Sequence, residues 1–156
     1  QEDPLPTILR LGWSYNMELD EEGYNTITIT NDISKILART EITETEEDTL
    51  YKPMNAAEAL FNSWSSFERF DGQEIVTVDF HEQLMYSFGL EYWYDQKFAV
   101  RGGYYYEYPE NGNRQFVTLG AGLRYDFFGV DFSYIYTSDQ DHPLANTMRF
   151  SVLIDF

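Results

Sequence analysis

The sequence predicts an all-β protein, an antiparallel transmembrane β-barrel, and three observations predict it. The first is composition: 12 Phe, 13 Tyr and 3 Trp make up 18% of 156 residues, yet the mean hydropathy is only −0.46. Strands in which every second residue is polar reconcile the two values. The second is that no run of about 18 apolar residues exists, which excludes a transmembrane helix. The third is a series of segments of about ten residues that alternate apolar and polar and are separated by turn residues.

The first strand carries Leu9, Leu11, Trp13, Tyr15, Met17 and Leu19 on one face and Ile8, Arg10, Gly12, Ser14, Asn16 and Glu18 on the other. Asp20-Glu21-Glu22-Gly23 turns the chain. A second strand, Asn25 to about Leu37, is rich in Thr and Ile but alternates poorly. From Ala38 to His81 the pattern stops. This stretch is acidic from Glu41 to Asp48, and it is expected to hold a short helix from Asn55 to about Phe67, with Leu60, Phe61, Trp64 and Phe67 at helical spacing. So long an interruption is unusual in a compact domain and is often functional.

Alternation returns at Gln83, and Asp95-Gln96-Lys97 is the next turn. A strand from Phe98, a loop from Pro109 to Asn113, a strand from Phe116 to Tyr125, and a tight turn near Asp126 follow. A strand from Phe128 to Tyr136, a polar loop from Thr137 to Asn146 and a last strand ending at Phe156 complete the chain. That makes about seven strands, joined alternately by short turns and longer loops, as in outer-membrane barrels. Tyr92, Tyr94, Phe98, Tyr125, Phe128 and Phe156 fall at the turn ends, and Tyr104, Tyr106, Tyr108, Tyr134 and Tyr136 near the loop ends. Two aromatic girdles are the expected result. A soluble antiparallel sandwich also alternates, but it has no need of such girdles.

The charges agree with this assignment. Arg10, Glu18, Glu91, Arg101, Glu107, Arg124, Asp131, Arg149 and Asp155 all fall on the polar face. A charge on the lipid side costs about 2–4 kcal/mol at the midplane. Arg10, Glu91, Arg101, Arg124, Asp131 and Arg149 are expected to form a lumen charge network, for example with Arg149 opposite Asp131. Ion pairs filling the interior are the plainer expectation, and a selectivity filter the sharper one.

The formal net charge of −17 makes nucleic acid a poor partner. With no cysteine, disulfides and thiolate metal sites are excluded. His81 and His142 lack metal-ligand spacing, and the acidic run Glu44 to Asp48 lacks the Gly-centred spacing of a calcium loop. Carboxylates are abundant, but solvated loop charge and lumen wall account for them better than paired-carboxylate catalysis. No catalytic, cofactor or metal residue is expected. Phe156 closes an amphipathic strand with Phe150, Val152 and Ile154 on its face; such a terminal aromatic resembles the signal read by the outer-membrane assembly machinery. A barrel leaves no open edge to lipid, so an N-terminal half of the same barrel is expected before Gln1.

Several strings resemble one family. They are Leu5 to Gly12, Asp32 to Leu37, Gly89 to Tyr94, Phe98 to Tyr104, Gly112 to Gly122 and His142 to Phe150. Together they are similar to the PorV (LptO) outer-membrane proteins of the type IX secretion system in the Bacteroidota. The likeness runs along nearly the whole chain except about Arg39 to Asp79, and the chain departs from the family's pattern at Ala38-Arg39-Thr40. The resemblance implies a FadL-like barrel of about fourteen strands, of which these are the C-terminal half. It implies a non-enzymatic carrier that binds the large translocon barrel of the type IX system. The carrier receives secreted cargo through C-terminal signal domains and passes it to a surface attachment complex with a sortase-like protease. An outer membrane and its lipid are the implied setting. A FadL-like transporter of hydrophobic small molecules is the alternative, and a purely structural barrel is a third reading.

The partner contacts are expected in the external loops 38–81, 109–113 and 137–146, at Leu60, Phe61, Trp64, Phe67, Asn113, Arg114, His142 and Pro143. The first loop is favoured because it sets exposed apolar groups beside charge. Its helix is expected to lie on a partner or to plug the barrel mouth, with local packing of Trp64 and Phe67 as the plainer alternative.

Overall fold

The computed structural model describes residues 7–37, 40–45, 48–53, 56–70, 75–109, 112–137 and 146–155. Seven strands form one sheet: β1 (Ile8–Glu18), β2 (Asn25–Ile36), β7 (Leu84–Tyr94), β8 (Phe98–Glu107), β9 (Gln115–Tyr125), β10 (Phe128–Thr137) and β11 (Thr147–Ile154). They lie in the order β1-β2-β7-β8-β9-β10-β11, so each strand neighbours the next one of the sheet along the chain. Pairs β8–β9, β9–β10 and β10–β11 are antiparallel.

Period-two patterning sets the register, because a slip of one residue would exchange the two faces. Val130 pairs with Leu123 on one side and Val152 on the other, and Phe132 with Ala121 and Phe150. Tyr134 pairs with Leu119 and Met148 in the same way. Apolar residues thus meet apolar residues across the ladder, and Gly129, Asp131 and Ser133 meet Arg124, Gly122 and Gly120 on the other face.

The turns follow local chemistry. Asp95 and Gln96 both have positive φ (50° and 51°), and the Lys97 N–H donates to the Tyr94 carbonyl at 2.9 Å. That is a type I′ turn, whose twist matches that of paired strands. After β1, Asp20 receives the Asn25 N–H at 3.1 Å and Gly23 supplies a φ of 70°. Asp126 takes the left-handed conformation (φ 51°) between β9 and β10, a conformation that Asp tolerates.

The long interruption is more ordered than the sequence predicts. It holds two hairpins, β3 (Thr40–Thr45) with β4 (Asp48–Pro53) and β5 (Phe67–Phe70) with β6 (Ile75–Val78). Between the hairpins lies α1 (Ala56–Asn62), and a 3₁₀ turn, Phe80–Gln83, leads into β7. The helix is shorter than expected. Trp64 and Phe67 lie outside it, and Phe67 opens β5 opposite Val78. The Trp64 indole N–H donates to the Leu60 carbonyl at 2.8 Å. One carbonyl left open by the helix end is thereby satisfied, and the β-favouring Phe67–Phe70 segment pairs instead of continuing the helix.

The chain divides into two compact units: residues 1–11, 33–85 and 107–113, and residues 12–32, 86–106 and 114–156. The first unit has a small apolar cluster of Leu37 and Ala59, with Leu9 packed against it. In the second unit the large apolar side chains of the sheet stand exposed, Phe150 and Tyr125 at 73% and Val100 at 62%.

Candidate functional site

On the polar face of the second unit, four of the six expected charges meet. Arg101 on β8 lies across β9. Its Nε is paired with Glu91 on β7, and its Nη1 is 2.8 Å from Asp131 Oδ1 on β10. Arg124 on β9 takes the other oxygen of Asp131, Nη2 to Oδ2 at 2.8 Å. Arg124 also donates to the Val130 carbonyl at 3.3 Å. The side chains are 24–32% exposed, so these are half-buried pairs, which are screened less than surface ones.

Glycines make the reach of the arginines possible. A Cβ on Gly122 would sit 2.6 Å from Asp131 Oδ1 and 3.0 Å from Arg101 Nη1, and one on Gly129 would sit 2.9 Å from Arg124 Cδ. Trp93 completes the cluster, with the Arg101 and Arg124 guanidiniums 5.3 and 5.5 Å from its ring centre, within cation–π range. Two arginines, two carboxylates and one indole neutralise one another.

Beside the cluster lies a concavity of about 370 Å³ of mixed lining: Thr28, Thr30, Ser87 and Thr118, the apolar Phe88 and Leu90, three glycines, and Glu91 and Arg101.

Two expected members stand elsewhere. Arg149 faces Ser133, and both Asp131 oxygens go to Arg101 and Arg124, so the expected Arg149–Asp131 pair does not form. The register decides this, since Asp131 stands opposite Ser151. Arg10 donates from Nε to Ser34 Oγ at 3.0 Å in the first unit.

The expected partner residues also divide. Ala59 of α1 and Ser63, just past the helix end, are fully buried. Bulky apolar residues point outward: Leu60 is 50% exposed, Phe61 81% and Trp64 43%. Phe80, 41% exposed, adds a ring 6.2 Å from that of Trp64. Phe67 is only half-buried within β5. Asn113 has a positive φ (53°) and donates its N–H to the Tyr108 carbonyl at 3.1 Å, and it and Arg114 are exposed. His142, Pro143 and Phe156 lie outside the described residues.

No protein-family model and no curated protein matches the chain.

Sequence reasoning missed a buried polar group in the first unit. Glu107 is fully buried at the end of β8, and its carboxyl lies over Gly112, where a Cβ would come within 3.1 Å. Gly112 has a φ of 149°, which side chains other than hydrogen resist. Lys35, 2% exposed, donates to Gln83 Oε1, and Gln83 is 4% exposed. Poor alternation in β2 was the one signal of this group. Nothing in the sequence distinguishes Gln83 from a solvated loop residue.

Proposed function

We propose that the seven-stranded sheet belongs to an outer-membrane β-barrel of about fourteen strands, with the remaining strands contributed by an N-terminal half. Within it the chain serves as a PorV-like, non-enzymatic component of type IX secretion. It binds the large translocon barrel, takes secreted cargo by its C-terminal signal domains and delivers it to a surface attachment complex.

The membrane part of this reading is supported by the exposed apolar face of the sheet. Soluble monomers seldom leave patches of more than a few hundred Å² uncovered, and hydrocarbon covers such a face without cost. On the opposite face Glu91, Arg101, Arg124 and Asp131 are paired with one another, as a lumen wall requires.

The observation that carries the partner-binding part is the inverted polarity of α1. A surface helix normally buries its large apolar residues. Here Ala59 is buried while Leu60 and Phe61 are presented outward, with Trp64 exposed just past the helix end.

The test is a gentle detergent pull-down from native outer membranes, followed by mass spectrometry. A very large barrel subunit, together with secreted proteins that share a C-terminal domain, is the expected result. Recovery of bound lipid alone would favour the transporter and end the secretion reading.

A further inference from the structure

We infer that Lys35 and Gln83 are positioning residues, which hold the Leu60–Phe61–Trp64 surface in a fixed pose for its partner. The inference rests on the partner-binding reading of α1.

Gln83 sits in the 3₁₀ turn where the interruption returns to the sheet, and all of its hydrogen-bonding groups are engaged. Its Oε1 accepts from Lys35 Nζ at the end of β2. Its Nε2 donates to the Ser65 carbonyl at 3.0 Å and to the Val78 carbonyl at 3.3 Å. Ser65 directly follows Trp64, and Val78 ends β6. One side chain therefore ties together the end of β2, the exit from α1, the end of β6 and the start of β7.

Burial makes these bonds consequential. Lysine is almost never fully buried unless it is paired, and burying an unpaired ammonium is costly. A lysine at 2% exposure and a glutamine at 4% thus mark a site that must stay assembled while the interruption is in place. Among the described residues, the apolar cluster under α1 comprises Leu37 and Ala59 with Leu9 beside it. Apolar contact is non-directional, whereas the bonds at Gln83 are directional and fix where the chain leaves the helix.

The test compares Gln83→Leu, Phe61→Asp and the double variant Lys35→Met with Gln83→Leu, all in the full-length protein. The double variant removes both polar partners, so no lone ammonium is left to unfold the base. Hydrogen exchange would be followed at the amides of Ala59–Trp64 and of β9 and β10, with cargo capture measured in the pull-down described above.

Expected for both Gln83 variants is exchange at least about tenfold faster over Ala59–Trp64, unchanged exchange in β9 and β10, and capture reduced severalfold. Unchanged protection of α1, or equal loss of protection in β9 and β10, would overturn the positioning role. If Phe61→Asp abolishes capture while the double variant leaves it intact, the positioning role fails and the partner surface stands. If Phe61→Asp leaves capture intact, the partner reading itself fails.

Discussion

Asp131 shows how much one residue organises when its neighbours are small. Its two oxygens bind two arginines from two strands, and Gly122 leaves the space in which they meet. Asp131→Asn keeps the shape and removes the charge. A hydrogen bond to a charged group contributes about 1.5–3 kcal/mol, so a measurable fall in unfolding midpoint in detergent is expected. Gly122→Val should cost about as much by steric displacement of the same contact, roughly 1–3 kcal/mol. The double variant should then lose less than the sum of the two, because both act on one interaction; strict additivity would separate them.

At the first turn, the Asn25 N–H, followed by the Asn25 side chain, holds the Asp20 carboxyl below the usual aspartate range. A lowered carboxyl stabilises the fold above its unfolded pKa, and the contribution is lost as pH falls through the folded value. The Asn25 amide should therefore lose protection on acidification below pH 4 or so, and Asp20→Asn should abolish that pH dependence. An acid response that survives Asp20→Asn would assign it to another group.

At the scale of elements, the interruption separates what patterning reveals from what it hides. All seven long strands were legible: six repeat their alternation over 8–11 residues and so outvote local exceptions, and β2 shows itself by its Thr and Ile content. The hairpins β3–β4 and β5–β6 were not, since strands of 4–6 residues give too few alternations to register. The end of α1 was misplaced for a related reason: Trp64 keeps helical spacing from Leu60 yet acts as a cap beyond the last turn. Packing distinguishes the two faces of the helix. Ala59→Leu adds volume where no space exists, and about 1–3 kcal/mol of destabilisation is expected from thermal unfolding. Phe61→Asp lies on the open side and should change stability by less than about 0.5 kcal/mol. A large loss of stability at Phe61 would mean that the ring is covered within the chain.

At the scale of the whole molecule, the two tryptophans of the sheet report on its two faces. Trp13 is 57% exposed on the apolar face, whereas Trp93 lies between Arg101 and Arg124 on the polar one. In bilayers with brominated acyl chains, a variant retaining only Trp13 should be strongly quenched and one retaining only Trp93 little quenched. Equal quenching would contradict a lipid-facing apolar side. The edges matter too. Among the described residues β1 and β11 end the strand order, and no strand is seen on the outer rim of either. Such rims are costly in lipid and invite further strands.

By itself the sequence determined the class of structure, the seven long strands, the identity of each face and four of the six charges that meet or stand beside Trp93. These follow from period-two alternation, a local property repeated along every long strand except β2, where β-favouring residues stand in for it. Tertiary structure alone decided which charge pairs with which, because the register places Ser151 rather than Arg149 opposite Asp131. It also decided that Lys35, Gln83 and Glu107 are buried and that α1 turns its large side chains outward. Those outcomes depend on which distant segments come together, and no local pattern encodes them.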